Sequence, residues 1–508
     1  MQKIILLSFL MAAFTSCSIF EPVPNNKINM ATGGDTLTRV EKNFYYISQK
    51  DPSSRNLIVV GEQVLKYREF RLHTPPSQEL DLSILKNNED PELKGKPLRM
   101  LVIGGSLSAG VRDGGYFNEG MLTSYPNLIA QQLKLKKFDQ PLFDPSDYNG
   151  FGRKVMTDFN PSGGPLPKFN EVNNNTGVFS TNEKETILKI TKNSNLDCVC
   201  VPFSHRDMIG TNSDLFQDSY KQDSKKFMLR MTPNPFNFYD FYKNMDFDFY
   251  ILQLGIDDKI GYYLKGGDTN EYRRTMFLPY DISDNPNFGA DYPEHIVTRN
   301  IFNLTKERKK QPKGFVANIP NVLEFPIFNI VSSNKVIEKY GRGFTSGVIK
   351  YITNSSFLSY LSIDQETLVP NSITDSLLSE TVPFSLKRGL SLPLRNKDVL
   401  ESREGGGYRK DDGYSEYEKL YEILKKRYSL GIVDLRTLFS KIIKGGYVTD
   451  DGIKVDASYP NGNFFSSDGI NPTAFGQAVI ANEFIRTINK ETGTVIPFIP
   501  TGHYLGLK

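Results

Sequence analysis

Residues 98–110 constrain this chain more than any other stretch. The mostly apolar run 98–103 reads as a short buried strand. Gly104 and Gly105 end it, Ser106 follows, and small residues continue to Gly110. Residues 125–133 then space their apolar side chains as a helix does. A serine on a tight turn between strand and helix presents its hydroxyl at the sheet edge, with backbone N–H groups close by. That is the geometry a nucleophile needs. The same residues also read more simply, as a glycine-rich turn with an incidental serine.

Four more apolar segments of strand length follow, at 196–202, 247–254, 314–320 and 431–435. The last comes directly after a helical pattern over 414–428, with Tyr417, Leu420, Tyr421, Leu424 and Tyr428 on its apolar positions. Short apolar strands alternating with helices predict a parallel α/β sheet. In such a sheet ligands gather beyond the carboxyl ends of the strands, and Ser106, Pro202 and Gly255 all stand there. Ahead of this core, 56–70 has the pattern of a hairpin, and 74–96 is charged and proline-containing, as expected of a surface crossing. Residues 139–181 are long, irregular and rich in Gly, Pro and Asn. Residues 330–410 have no clear period and read as an insertion that forms a lid or a partner surface.

Composition excludes some functions. The 508 residues carry 61 basic and 58 acidic side chains, a net charge of +3, so there is no basic footprint for nucleic acid. The apolar share of 39% and charged share of 23% are those of a globular protein with a core. No histidine–cysteine spacing suggests zinc, and nothing in the sequence calls for a cofactor.

The N-terminus reads as a targeting segment, with Lys3 followed by an apolar stretch over 4–14 that is too short to span a membrane. Thr15 and Ser16 then lead into Cys17. This resembles a bacterial lipobox, in which Cys17 would be lipidated; Phe14 stands where that pattern prefers leucine. The expected organisation is a signal peptide over 1–16, a lipid-anchored tether and N-terminal extension over 17–95, and one domain over 96–508 with insertions near 139–181 and 330–410. The remaining cysteines, Cys198 and Cys200, share one face of a strand. A bridge between them would be strained, so buried free thiols are expected.

Near the end stands Phe464-Phe-Ser-Ser-Asp468-Gly-Ile-Asn471-Pro-Thr-Ala-Phe-Gly476, with Pro472 suited to the first position of an amphipathic helix over 474–488. Taken in order, six blocks form one pattern: Gly104-Gly-Ser106-Leu-Ser-Ala-Gly110, Ser124-Tyr-Pro-Asn-Leu-Ile-Ala-Gln-Gln132, Leu254-Gly-Ile-Asp-Asp258, Ala317-Asn-Ile-Pro320, Val433-Asp434 and the Asp468 segment. Together they resemble the SGNH/GDSL hydrolases, and within them a group of Bacteroidetes outer-membrane lipoproteins. The resemblance implies a three-layer, flavodoxin-like α/β fold with a parallel sheet and large loop insertions, and ester hydrolysis by acyl transfer. It also implies an outer-membrane location and companionship with a β-barrel transporter.

The resemblance assigns Ser106 as nucleophile and Asp468 as the triad aspartate. The triad histidine should stand three residues after that aspartate, where this chain has Asn471. An amide has no basic nitrogen near neutral pH and cannot take the serine's proton. The oxyanion positions fall on Ser106, Phe203 and Asp257, where the family uses the serine N–H, a glycine N–H and an asparagine side chain. A carboxylate at Asp257 would repel a developing oxyanion, and the Phe203 ring would crowd the pocket. Gly105 stands where this group often has Asp or Asn. The expectation is therefore a lipid-anchored envelope protein whose hydrolase fold is catalytically impaired and serves to bind a partner or an acyl-ester or lipid-like ligand. The alternative is a working serine ester hydrolase on which another base serves Ser106. Of His73, His205, His295 and His503, His205 is the candidate substitute, because it follows the Phe203 position by two residues. A further reading has Asp257, Asp258 and Asp468 bind a cation.

Overall fold

The computed structural model describes residues 27–29, 36–40, 45–48, 58–60, 63–66, 71–87, 89–143, 148–159, 167–172, 196–202, 227–228, 230–231, 245–264, 304–305, 310–329, 350–352, 360–362, 421–422 and 424–506. Cys17, Phe203, His205, His295 and most of 330–410 lie outside them.

Five strands form one parallel sheet: β1 (Met100–Gly104), β2 (Cys198–Cys200), β3 (Phe249–Gln253), β4 (Lys313–Ala317) and β5 (Gly431–Val433). Their order across the sheet is β5-β4-β3-β1-β2. Every residue of β1 and β3 is buried, as the central strands of a sheet covered on both faces must be. This is why they read as unbroken apolar runs and not as alternating ones. Gly104 is level with Gln253 on one side and Cys200 on the other, so three strands end together. Cys198 and Cys200 are buried free thiols, and burial pushes the Cys200 thiol well above its ordinary range.

The helices that matter for the site are α1 (Ser106–Ala109), α2 (Asn118–Leu122), α3 (Tyr125–Gln132), α4 (Ile256–Leu264), α5 (Leu435–Ile443) and α6 (Ala474–Thr492). The longest, α6, packs on β4 and β5 and against α3 and α5, with the Phe484 ring stacked on Tyr125 at 4.5 Å. The Thr473 hydroxyl caps its first turn by accepting the Gly476 N–H at 3.1 Å, and Gly493 ends it at φ 73°. Pro472 therefore lies just before the cap, not at the first helical position, because the threonine side chain performs the capping. No helix among the described residues is long and apolar enough to cross a membrane.

Three segments differ from expectation. Within 74–96, Leu85 and Leu93 are buried in the core, so this stretch is pinned to the domain rather than lying over it. Just ahead of it, His73 is buried between the Tyr504 hydroxyl at 2.6 Å and Gln132 Oε1 at 2.9 Å. Within 139–181, Lys154–Phe159 pairs antiparallel with Pro167–Glu171; flanking Gly and Pro hide this hairpin in the sequence. Lys27–Asn29, inside the segment read as a tether, pairs with Thr36–Val40. The expected hairpin over 56–70 is present, as Ile58–Val60 against Gln63–Lys66.

Candidate functional site

The order of the sheet locates the site. From β1 the chain moves to β2 at one edge; from β3 it moves through β4 to β5 at the other. In a parallel sheet of this order, ligand sites are expected at the carboxyl ends of β1 and β3, where the winding reverses. Ser106 opens α1 two residues after β1, and Asp257 lies in the first turn of α4 after β3.

The glycines around Ser106 are required by close packing. A Cβ on Gly104 would lie 2.1 Å from Ser108 Oγ. Gly110 ends α1 at φ 77°, and a Cβ there would lie 2.3 Å from the Gly120 carbonyl oxygen. A buried polar network holds the turn from behind. Ser108 Oγ lies 2.7 Å from the Tyr125 hydroxyl and 3.1 Å from Gln253 Oε1. Gln477 on α6 accepts the Tyr125 N–H at 3.0 Å and donates to the Leu107 carbonyl at 3.1 Å. Burial pushes the Tyr125 phenol well above its ordinary value, so it stays a neutral hydroxyl.

Ser106 itself is 3% exposed. Its backbone N–H donates to Asp257 Oδ2 at 2.8 Å. That N–H is the donor an acyl-transfer site would aim at a developing oxyanion. In this chain it holds a carboxylate of the protein.

Asp468 is half-buried and accepts four hydrogen bonds. Oδ1 takes the N–H groups of Ile470 at 2.9 Å and Asn471 at 2.7 Å. Oδ2 takes the Gly114 N–H at 3.1 Å and the Asn471 side-chain amide at 2.9 Å. Burial raises the Asp468 carboxyl above its ordinary value, against the pull of these bonds. Asn471 thus stands on Asp468 as an imidazole N–H would, but its amide carries no basic nitrogen.

The loop carrying Asp468 is held by residues the sequence reading did not single out. Arg112-Asp113-Gly114-Gly115 is a two-residue hairpin turn with φ 54° at Asp113 and 68° at Gly114, the type I′ pattern that Asp-Gly favours. Asp113 Oδ1 accepts from Ser467 Oγ at 2.7 Å and from its N–H at 3.1 Å. Two of the six blocks have a scaffold role here. Asn318 donates to Asp434 Oδ1 at 2.8 Å and accepts the Arg436 N–H at 2.9 Å. Asp434 caps α5 through the Thr437 N–H. These bonds tie the end of β4 to the end of β5.

The two described histidines, His73 and His503, lie beside Tyr504 with ring centroids 6.4 Å apart. His73 bonds Gln132, at the far end of α3, which seven residues of helix set about 10 Å along the axis from Tyr125. Burial lowers the His73 pKa. No group of three or more His, Cys, Asp or Glu that could hold a metal ion occurs among the described residues. Two clefts of about 320 and 390 Å³ flank residues 80–83, one against 492–496 and the other against 133–136. No family model, curated protein or solved structure matches the chain.

Proposed function

We propose that this chain is a lipid-anchored envelope protein with an SGNH/GDSL-type fold, retained for binding after its hydrolytic chemistry was lost. One observation carries the reading: the Ser106 N–H is occupied by the Asp257 carboxylate at 2.8 Å. A tetrahedral oxyanion at Ser106 would meet a negative charge where catalysis needs a donor. The amide of Asn471 on Asp468 supports the same conclusion, because no proton acceptor follows the aspartate in the triad's place. The sheet order, numbered along the chain as 2-1-3-4-5, is that of flavodoxin-like three-layer folds. It supports the fold assignment, as does a nucleophile-type turn at the switch point.

In this reading Lys3, the apolar 4–14 stretch and Cys17 deliver the protein to the outer membrane as a lipoprotein. The site at the switch point takes an acyl-ester or lipid-like ligand without turning it over, or the insertions engage a β-barrel transporter. The purified protein is expected to hydrolyse p-nitrophenyl butyrate no faster than its Ser106→Ala variant. A wild-type rate well above that of Ser106→Ala would replace this reading with an active serine esterase. The search for its base would then begin at His205.

A further inference from the structure

The turn Arg112-Asp113-Gly114-Gly115 is gripped from two sides. On one side is the Asp468 loop. Asp113 accepts from both polar groups of Ser467, its N–H donates to Ser466 Oγ at 3.1 Å, and the Gly114 N–H donates to Asp468. On the other side is the segment that leads into the Lys154–Phe159 hairpin. The Lys154 N–H donates to the Asp113 carbonyl at 3.2 Å, and Tyr116 and Phe151 exchange two backbone bonds of 2.8 Å. A Cβ on Gly115 would lie 2.5 Å from the Arg153 backbone nitrogen, so the two backbones are in close contact.

A buried ion network stands behind this arrangement. Glu119 receives Arg112 on one oxygen at 2.7 Å and Arg153 on the other at 3.4 Å. Arg153 also donates to Asn149 Oδ1 at 2.9 Å and lies 4.1 Å over the Phe117 ring. Arg112 Nε faces Asp113 Oδ2 at 3.7 Å. The Asp113 carboxylate is therefore shared, with one oxygen on the Asp468 loop and the other facing Arg112, which meets Arg153 of the arm at Glu119. A network of this kind is strong when every member is satisfied and costly when one is missing.

We propose that this turn couples the two flanks: attachment of the 148–159 arm orders the Asp468 loop, and loosening of either flank loosens the other. The inference does not depend on whether the site turns over esters. Coupling of this type is reciprocal, so it can be tested from either side by amide hydrogen exchange on the full-length protein. Ser467→Ala, on the site side, is expected to speed exchange across 148–155 by about fivefold or more. Arg153→Lys, on the arm side, should speed exchange across 466–471 by a similar factor, while β3 keeps its protection in both variants. Faster exchange confined to the flank that carries the substitution would overturn the proposal. If Arg153→Lys does not fold, Ser467→Ala decides the matter alone.

Discussion

Glu119→Ala is expected to lower the stability of the domain by about 3–5 kcal/mol, the usual cost of removing one partner from a buried ion pair. The substitution leaves Arg112 and Arg153 buried at 1% and 2% exposure, with the carboxylate between them gone. The urea midpoint of the main unfolding transition measures the loss; a shift worth less than about 1 kcal/mol would place the network among weakly contributing surface pairs. Acid should reveal the same interaction. Burial alone would raise the Glu119 carboxyl, but the two arginines and their hydrogen bonds outweigh it and hold it below its ordinary value of 4.5. A carboxyl whose folded-state pKa is depressed contributes stability that is complete above its unfolded value and lost as pH falls through the folded one. Stability should therefore fall as the pH drops below about 4.5, and the Glu119→Ala variant should lack this part of the slope.

The second large effect is a gain. The double variant Asp257→Asn, Asn471→His is expected to acquire Ser106-dependent esterase activity at least about 100-fold above the wild-type background. A positioned general base contributes about 10²–10⁴-fold, and one oxyanion donor about 10²–10³-fold. Each position offers the new side chain a partner. Asn471 already lies 2.9 Å from Asp468 Oδ2, so a histidine there keeps an orienting acceptor and presents its second nitrogen. Asparagine at 257 replaces a repelling carboxylate with a group that can donate. Asp257→Asn alone should gain nothing, because no base is added. A folded double variant that hydrolyses p-nitrophenyl butyrate no faster than its Ser106→Ala derivative would count against a silenced hydrolase.

Much of the scaffold was legible because it is local. Each of the five strands overlaps the apolar segment that predicted it, with β1 and β4 each running one residue beyond, since strands buried on both faces need uninterrupted apolar residues. The Ser106 turn was legible from its local residues, and the Asp468–Asn471 relation only through the family resemblance. The capping of α6 was not. Pro472 is the stronger textual signal, but the Thr473 hydroxyl is the group that satisfies the Gly476 N–H. The grip on the Asp468 loop was hidden for a different reason. Asp113 meets Ser467 across 354 residues of chain, and Arg153 meets Glu119 across 34. A charged residue in a glycine-rich loop looks solvated until its partner arrives from elsewhere. The Asp-Gly pair at 113–114 did carry a local signal, that of a type I′ turn. Asp257 was legible as a departure from the expected asparagine, but only the fold brings its carboxylate onto the Ser106 N–H.

The central claim is that Ser106 is no longer an activated nucleophile. Its most direct test is to treat the purified, folded protein and its Ser106→Ala variant with a fluorophosphonate serine probe and compare their intact masses. The account predicts that the two proteins behave alike, with no adduct at Ser106. A stoichiometric adduct that forms on the wild type and disappears with Ser106→Ala would contradict it, because it would mean that a base other than residue 471 activates the serine.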